Sequence, residues 1–177
     1  KGAECIGIDI VPEQIESCKK KDSKGKYYVD DVKDLKIDRK FDYVLSIMVL
    51  LSFCKKEIIR AIKSMSSKMK DGGKLIIFTA RPAFDYTSEN MESMTRYFPE
   101  KYSYMKKGLP TIYKHKTKGY TLNDFHWMIE DYADCIKEAG LVIENIFEPI
   151  PLPESEKDNP KVFTARRNYP LYIAFVC

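Results

Sequence analysis

The chain has 177 residues, of which 44% are apolar and 32% are charged, and its formal net charge is +4. This length is enough for one domain with a sizeable core, and the composition is that of a globular protein rather than a disordered or fibrous one. The positive charge comes from lysines scattered along the chain, which argues against the clustered basic face of a nucleic-acid-binding protein.

Targeting and redox signals are few. No apolar run approaches the roughly 20 residues that a membrane-spanning helix needs, so no membrane partner is expected. The five cysteines are scattered and no pair has C-x-x-C spacing, which argues against a metal site. Reduced thiols in a cytoplasmic protein are the simplest interpretation.

The first half of the chain alternates apolar strands with helices. The pattern predicts strands over Cys5–Asp9, Tyr27–Val29 and Phe41–Ile47, and helices over Pro12–Lys21 and Lys55–Lys70. "KDGG" is expected to end the second helix, and "KLIIFTA" is a continuous apolar strand. This βαβ alternation predicts an α/β, Rossmann-like fold with an open, mainly parallel sheet and helices on both faces.

The alternation stops after Arg81. Residues 82–125 hold many tyrosines, with eight Lys/Arg against five Asp/Glu between residues 81 and 125, and are predicted to form a lid insertion within a single domain over 1–177. Its aromatic side chains either stack on a flat acceptor or pack the lid against the sheet: Tyr86, Tyr97, Tyr102, Tyr104 and Tyr113. A helix over "HWMIEDYADCIKEAG" and strands over "LVIENIFEP" and "YPLYIAFVC" complete the chain.

Several of these segments, in this order, resemble the class I S-adenosylmethionine-dependent methyltransferases, in their small-molecule branch. The matching segments are "GIDIVPEQI", "VDDVKDL", "FDYVLSIMVL", "MKDGGKLII" and "IKEAGLVIENIFEP". The resemblance implies a last strand that runs antiparallel to the others. It also implies S-adenosylmethionine as the cofactor and methyl transfer as the activity, and it covers nearly all of the chain except residues 82–120.

The resemblance assigns cofactor-binding roles to the ends of the predicted strands. Asp9 would accept hydrogen bonds from the ribose hydroxyls, because a carboxylate at a strand end points into the crevice where ligands bind; the alternative is a helix cap. Ile10 would pack on the adenine or lie in the core. Asp31 would accept from the adenine amino group and the Val32 amide would meet the ring. The alternative for Asp31 is a solvated turn acid, which is the interpretation favoured for Asp30.

The predicted strand Phe41–Ile47 and the late helix supply the remaining candidates. Ser46 and Ile47 would lie near the methionine part of the cofactor, with core burial as the alternative for Ile47. His126 is the catalytic candidate, facing the acceptor from the start of the late helix, and a local hydrogen bond is the alternative. Arg81 would meet an acidic acceptor or form an ion pair.

One family feature has no counterpart in residues 1–177. The family carries a Gly-rich turn after its first strand, where only glycine lets the backbone approach the cofactor closely, yet none of the eight glycines here forms a G-x-G pair. By the resemblance, that first strand would lie between the strands that correspond here to Cys5–Asp9 and Phe41–Ile47. Three explanations stay open: an N-terminal part outside these residues, a partner chain that supplies it, or a relative with a repaired sheet and no cofactor.

The sequence therefore favours methyl transfer to a small molecule, such as an aromatic or carboxylate-bearing metabolite. Two alternatives remain. A methyltransferase acting on RNA would need a basic stripe beside the pocket, and nucleic acid is the less favoured partner. A non-catalytic subunit would pair with a competent partner and bind no cofactor.

Overall fold

The computed structural model describes residues 2–82 and 94–177. Tyr86 lies outside the described residues. In chain order the strands and helices of the described part are β1 (Ile6–Asp9), α1 (Pro12–Lys21), β2 (Lys26–Val29), β3 (Phe41–Ile47), α2 (Lys55–Ser66), β4 (Met69–Ala80), β5 (Met94–Tyr97), β6 (Leu109–His115), β7 (Thr121–His126), α3 (Ile129–Glu138), β8 (Asn145–Phe147), α4 (Pro160–Asn168) and β9 (Tyr172–Val176).

The strands form three sheets within the described residues. β1 and β2 make a parallel pair, β3-β4-β9-β8 make the main sheet, and β5-β6-β7 make an antiparallel sheet. In the main sheet β3 and β4 are parallel, whereas β9 is antiparallel to both of its neighbours, β4 and β8. The predicted α/β class is confirmed.

The prediction of a mainly parallel sheet needs correction, because the hydrogen bonding is mixed. β9 inserts between β4 and β8 and runs against both, so two of the three pairings in the main sheet are antiparallel. The strand directions follow from these pairings: β3, β4 and β8 point one way and the last strand points the other. β5-β6-β7 adds two further antiparallel pairings.

The second helix is shorter than predicted. α2 ends at Ser66 rather than Lys70, and β4 already begins at Met69. Gly72 and Gly73 therefore lie in a bulge of β4. The pairing with β3 shifts there from Phe41 opposite Met69 to Tyr43 opposite Lys74. Gly72 there has φ +72°, in the left-handed region that favours glycine.

The core lies on one face of the main sheet. α2 and α3 pack there against β4 and β9, and Ile62, Cys135 and Phe175 are fully buried among them. Within the described residues, the opposite face is open. Leu45 and Ile47 of β3 are each 58% exposed and form an apolar groove with Ile76 and Phe78 of β4, which we call the open face.

The antiparallel sheet joins the body through the residues that flank it. The Trp127 indole N–H donates to the Phe53 carbonyl oxygen at 3.0 Å, and the Ser52 hydroxyl donates to Asp124 at 2.7 Å. His126 ends β7 rather than starting a helix, since α3 begins only at Ile129. Across residues 2–82 and 94–177, the helices fall short of the length and apolar character needed to cross a membrane.

Candidate functional site

Two acidic residues end the parallel pair β1-β2. Asp9 is the last residue of β1, directly opposite Val29 of β2, and Asp31 follows two residues after Val29. Neighbouring parallel strands end at the same edge of a sheet, so the two acids lie at one edge. Each carboxylate organises the backbone that follows it: Asp9 Oδ1 accepts from the Val11 amide, and Asp31 Oδ1 accepts from the Lys33 amide, both at 2.9 Å.

Asp30 differs from Asp31 in how its oxygens are used. Its Oδ1 accepts from the Asp31 amide at 2.9 Å and its Oδ2 accepts from the Lys36 amide at 2.8 Å. Both oxygens thus fix the turn after β2. Asp31 is half-buried and caps the 3-10 helix Val32–Asp34 through Oδ1, which leaves it the better placed of the two for a ligand.

The apolar candidates beside these acids differ in exposure. Ile10 is 60% exposed although it follows a strand, whereas Val32 is half-buried and packs against the core. Burying an exposed aliphatic side chain under a flat apolar ligand is favourable. The edge of β1-β2 therefore combines two carboxylates with an uncovered isoleucine.

The candidates at the end of β3 are not side by side. Ser46 is 1% exposed and points toward the helices, and its Oγ has no hydrogen-bond partner among the described residues. Ile47 points the other way, onto the open face. The structure thus brings Asp9, Ile10, Asp31 and Val32 together, while Ser46 and Ile47 lie on opposite faces of β3.

Met48, directly after β3, has an unusual backbone conformation. Its φ is +56°, in the left-handed region that non-glycine residues rarely adopt, and its amide donates to the Phe78 carbonyl oxygen at 2.8 Å. Such a conformation costs of order 1–3 kcal/mol and is found most often at functional sites. The end of β3 is therefore a strained point of the scaffold.

A cleft separates the main sheet from the antiparallel sheet. It encloses only about 20 Å³ and is lined by Leu51 and Ala80–Pro82, by residues of β6 and β7, and by Trp127 and Tyr132; the β6 and β7 residues are Thr111, Tyr113, Asp124, Phe125 and His126. Arg81 lies in the wall of the cleft, where its Nε is 2.7 Å from Glu148 Oε1. Of the two predicted roles for Arg81, the ion pair is the one that the structure shows.

His126 is buried in the wall of the cleft. Its Nε2 lies 2.7 Å from the Tyr104 carbonyl oxygen, and its ring contacts the rings of Tyr102 and Tyr104 edge-on. A carbonyl oxygen can only accept, so Nε2 carries the hydrogen. Burial lowers the pKa of His126, which keeps the ring neutral. The local hydrogen bond is thus present, and the catalytic role of His126 stays a prediction.

Asp124 is the acid of the cleft that sequence reasoning missed. It is half-buried on β7, and its Oδ1 accepts the Ser52 hydroxyl at 2.7 Å. Burial raises the pKa of Asp124, while the Ser52 hydrogen bond and the Arg96 guanidinium act in the opposite direction. The signal in the sequence was the spacing of Asp124 and His126, two residues apart on what proves to be a strand.

Comparison with known proteins identifies the scaffold. Residues 1–77 match a family described as a methyltransferase domain. The chain has the class I methyltransferase fold. A methyltransferase from Mesorhizobium loti described as S-adenosylmethionine-dependent superposes with a TM-score of 0.70 at 17% identity, covering 99% of this chain and 80% of the other. One from Clostridium acetobutylicum gives 0.64 at 14% identity, covering 98% and 74%.

A third solved structure of this methyltransferase fold is a sugar N-methyltransferase from a Streptoalloteichus species. It has a TM-score of 0.58 and 15% identity, and covers 97% of this chain and 70% of that one. No curated protein matches the chain. The resemblance to class I methyltransferases predicted from the sequence is confirmed, and the edge of β1-β2 with Asp9 and Asp31 lies within the matched 77 residues.

Proposed function

We propose that the protein transfers a methyl group from S-adenosylmethionine to a small-molecule acceptor. The observation that carries the proposal is the edge of β1-β2, where Asp9 and Asp31 follow paired parallel strands within the family match. When bound, the donor supplies a positively charged sulfonium whose methyl group is transferred by in-line displacement. The protein contributes alignment and exclusion of water, which account for much of the rate in such reactions.

The residues present fit the nucleoside half of the donor. Asp9 is exposed and its Oδ1 serves only the local Val11 amide in the described contacts, so the carboxylate can accept from ribose hydroxyls. The 60% exposure of Ile10 suits a residue that an adenine ring covers. Asp31 and the Val32 amide would meet the adenine edge, and Ser46 and Ile47 would approach the methionine end through their backbone.

The second site argues against a polymer as the acceptor. The cleft beside the main sheet encloses only about 20 Å³, far less than the roughly 300–1,000 Å³ of a typical ligand site, so even a small acceptor would require its walls to move apart. We propose residues 82–125 as the lid insertion, of which 83–93 lie outside the described residues, within one domain that spans 1–177. RNA is the weaker alternative, because the excess of basic over acidic residues in this segment is small.

A specific observation favours a further element in the active protein. Among the described residues β1 pairs only with β2, and β3 pairs only with β4. Each strand therefore presents an edge whose backbone groups have no strand partner, and long edges of this kind promote association. We propose that one parallel strand fills the position between β1 and β3, from a preceding segment of the polypeptide or from a partner chain, and that its turn holds the methionine end.

Calorimetric titration with S-adenosylhomocysteine tests the donor site. We expect a micromolar dissociation constant, about −8 kcal/mol. Asp9→Asn and Asp31→Asn should each weaken binding by roughly tenfold or more, because hydrogen bonds to a charged group contribute about 1.5–3 kcal/mol. Asp71→Asn, an exposed change at the amino end of β4, is the matched control and should bind like the parent.

The same titration separates the alternatives. Residues 1–177 alone should bind more weakly than a polypeptide or a complex that supplies the strand. Equal affinity would overturn the proposed strand. No binding by any of these forms at millimolar ligand would overturn the enzyme proposal, and a stable complex with a competent partner would then indicate a non-catalytic subunit.

A further inference from the structure

The turn after β2 carries the donor candidates Asp31 and Val32, and it lies against α2. Among the described residues no strand pairing joins β1-β2 to the main sheet. A strand supplied between β1 and β3 would pair with β1 and not with β2, so it would leave this turn to α2. The 3-10 helix Val32–Asp34 packs on α2, and Val32 and Leu35 contact the core. Such apolar contacts are non-directional, so they hold the turn close without fixing its orientation.

Polar side chains of α2 add directional contacts to this turn. We call them the α2 clamp: Glu57, Arg60 and Ser64. Their spacing of three and four residues places them on one face of the helix. The Arg60 Nε–H donates to the Lys33 carbonyl oxygen at 3.1 Å, and the Leu35 amide donates to the Ser64 hydroxyl oxygen at 2.9 Å. Backbone groups on both sides of Asp34 are thus hydrogen-bonded to α2.

Glu57 adds a charged contact near the start of the same helix. Its Oε1 is 3.1 Å from Lys33 Nζ, which also lies 5.0 Å from the centre of the Phe53 ring. Its Oε2 accepts from the Cys54 amide at 3.1 Å. The hydrogen bonds from Cys54 and from Lys33 hold the pKa of Glu57 below its ordinary value, so the carboxylate is charged at neutral pH. Lys33 is therefore held through both its side chain and its carbonyl oxygen.

The backbone of Lys33 connects the clamp to Asp31. The Lys33 amide donates to Asp31 Oδ1 at 2.9 Å, while the carbonyl oxygen of the same residue accepts from Arg60. A displacement of Lys33 would therefore move the Asp31 carboxylate and the Val32 amide that lies between them in the chain. Hydrogen bonds weaken steeply as their distance and angle change, so a shift of about 1 Å in this turn is enough to misalign both groups toward a ligand.

We propose that the α2 clamp positions the methyl donor, by fixing the Asp31 carboxylate and the Val32 amide where they meet the edge of the adenine. The inference rests on the proposed function, which assigns Asp31 to the adenine amino group. Glu57, Arg60 and Ser64 are then positioning residues, because they act on the donor through the turn that they hold. They set the preference of the site for a 6-amino purine over a 6-oxo purine.

A purely structural role for the clamp makes a different prediction. Arg60 is exposed and its Nη2 lies 4.0 Å from Asp34 Oδ2, and exposed ion pairs of this kind contribute little to stability. Destabilised protein has fewer sites that can bind, but the ratio of the dissociation constants of two ligands on one preparation stays the same. A displaced turn changes that ratio. Comparing two ligands therefore separates positioning from stability.

Calorimetric titration with S-adenosylhomocysteine and S-inosylhomocysteine measures the ratio, in the form of the protein that binds the former most tightly. The 6-oxo group of the inosine ligand would face the Asp31 carboxylate, so the parent should bind it at least about tenfold more weakly. Ser64→Val and Ser64→Thr introduce side chains of the same shape, of which only the second keeps a hydroxyl. We expect Ser64→Val to lower the ratio about threefold or more and Ser64→Thr to preserve it.

Arg60→Met should lower the ratio in the same way, and Arg39→Met is its matched control. Arg39 also ties β1-β2 to the segment before β3, through two hydrogen bonds with the Glu4 carboxylate at 2.9 and 2.6 Å, but it does so at the amino end of β1. Its loss should leave the ratio unchanged. A ratio like that of the parent in both Ser64→Val and Arg60→Met overturns the proposal, and so does an equal fall in Arg39→Met.

Failure of this proposal differs from failure of the proposed function. A parent that binds both ligands equally well overturns the assignment of Asp31 to the adenine amino group, and this proposal with it, but leaves methyl transfer intact. Absence of S-adenosylhomocysteine binding in every form of the protein overturns methyl transfer itself.

Discussion

Two leucines on neighbouring strands of the main sheet should respond very differently to truncation. Leu75 of β4 is fully buried under α2 and α3, whereas Leu45 of β3 is 58% exposed on the open face. Leu→Ala at a buried site costs about 2–5 kcal/mol, since both the burial and a filled cavity are lost. Full burial of a leucine is worth about 1.5–3 kcal/mol, so the partial burial of Leu45 makes Leu45→Ala worth about 1 kcal/mol.

Urea unfolding of residues 1–177 measures both costs, provided that the slope m is the same in both variants. Equal losses for Leu45→Ala and Leu75→Ala would refute the reasoning, because they would mean that the open face is covered in this form of the protein. The same pair also reports on the proposed additional strand. In a polypeptide or complex that supplies it, the cost of Leu45→Ala should rise toward that of Leu75→Ala.

Three other changes follow from the buried polar groups. Ser46→Ala removes a buried hydroxyl without a described partner, so we expect it to raise the unfolding free energy by about 1 kcal/mol in a urea titration; a loss above 1 kcal/mol would show that the hydroxyl is satisfied. Because burial lowers the folded-state pKa of His126, the parent should lose stability as the pH falls below about 6.5, and His126→Gln should lose less over that window by thermal unfolding at pH 5–7; parallel curves would contradict this. Asp131→Ala removes a buried carboxylate that caps α3 and pairs with Lys55 and Lys107, and should lower the unfolding free energy by about 3 kcal/mol in a urea titration. A loss below 1 kcal/mol would show that these ion pairs contribute no more than exposed ones do.

Much of the fold was predictable because its signals are local. The strand Cys5–Asp9, the helix Pro12–Lys21 and the strand Phe41–Ile47 were predicted within one residue of their observed bounds. An apolar run that ends at an acid or a glycine indicates a strand or a helix even when the segments that pack against it are unknown. The predicted end of the second helix was wrong, because "KDGG" is compatible both with the end of a helix and with a bulge in a strand. Only the pairing of Phe41 with Met69 decides between them.

The candidate site divides in the same way. Asp9 and Asp31 were accessible to sequence reasoning, since each follows a strand whose apolar run is visible. The cleft was not, because it is made by side chains from distant segments: Ser52 and Asp124 are 72 residues apart, and Trp127 and Phe53 are 74 apart. The antiparallel sheet that carries Asp124 was predicted only as a lid, because its strands mix polar and apolar residues without the clean alternation that marks a strand.

The junction beneath the cleft has one more consequence. Trp127 is the single tryptophan of the chain, and its indole N–H is bonded to the Phe53 carbonyl oxygen where the antiparallel sheet meets the body. Gly108, at φ +70°, lies against the same ring. The emission of an indole depends on its hydrogen bonding and on the polarity around it, so the protein contains a built-in optical reporter at this boundary. Stopped-flow fluorescence of the unlabelled protein can therefore time any movement of the cleft walls when ligands arrive.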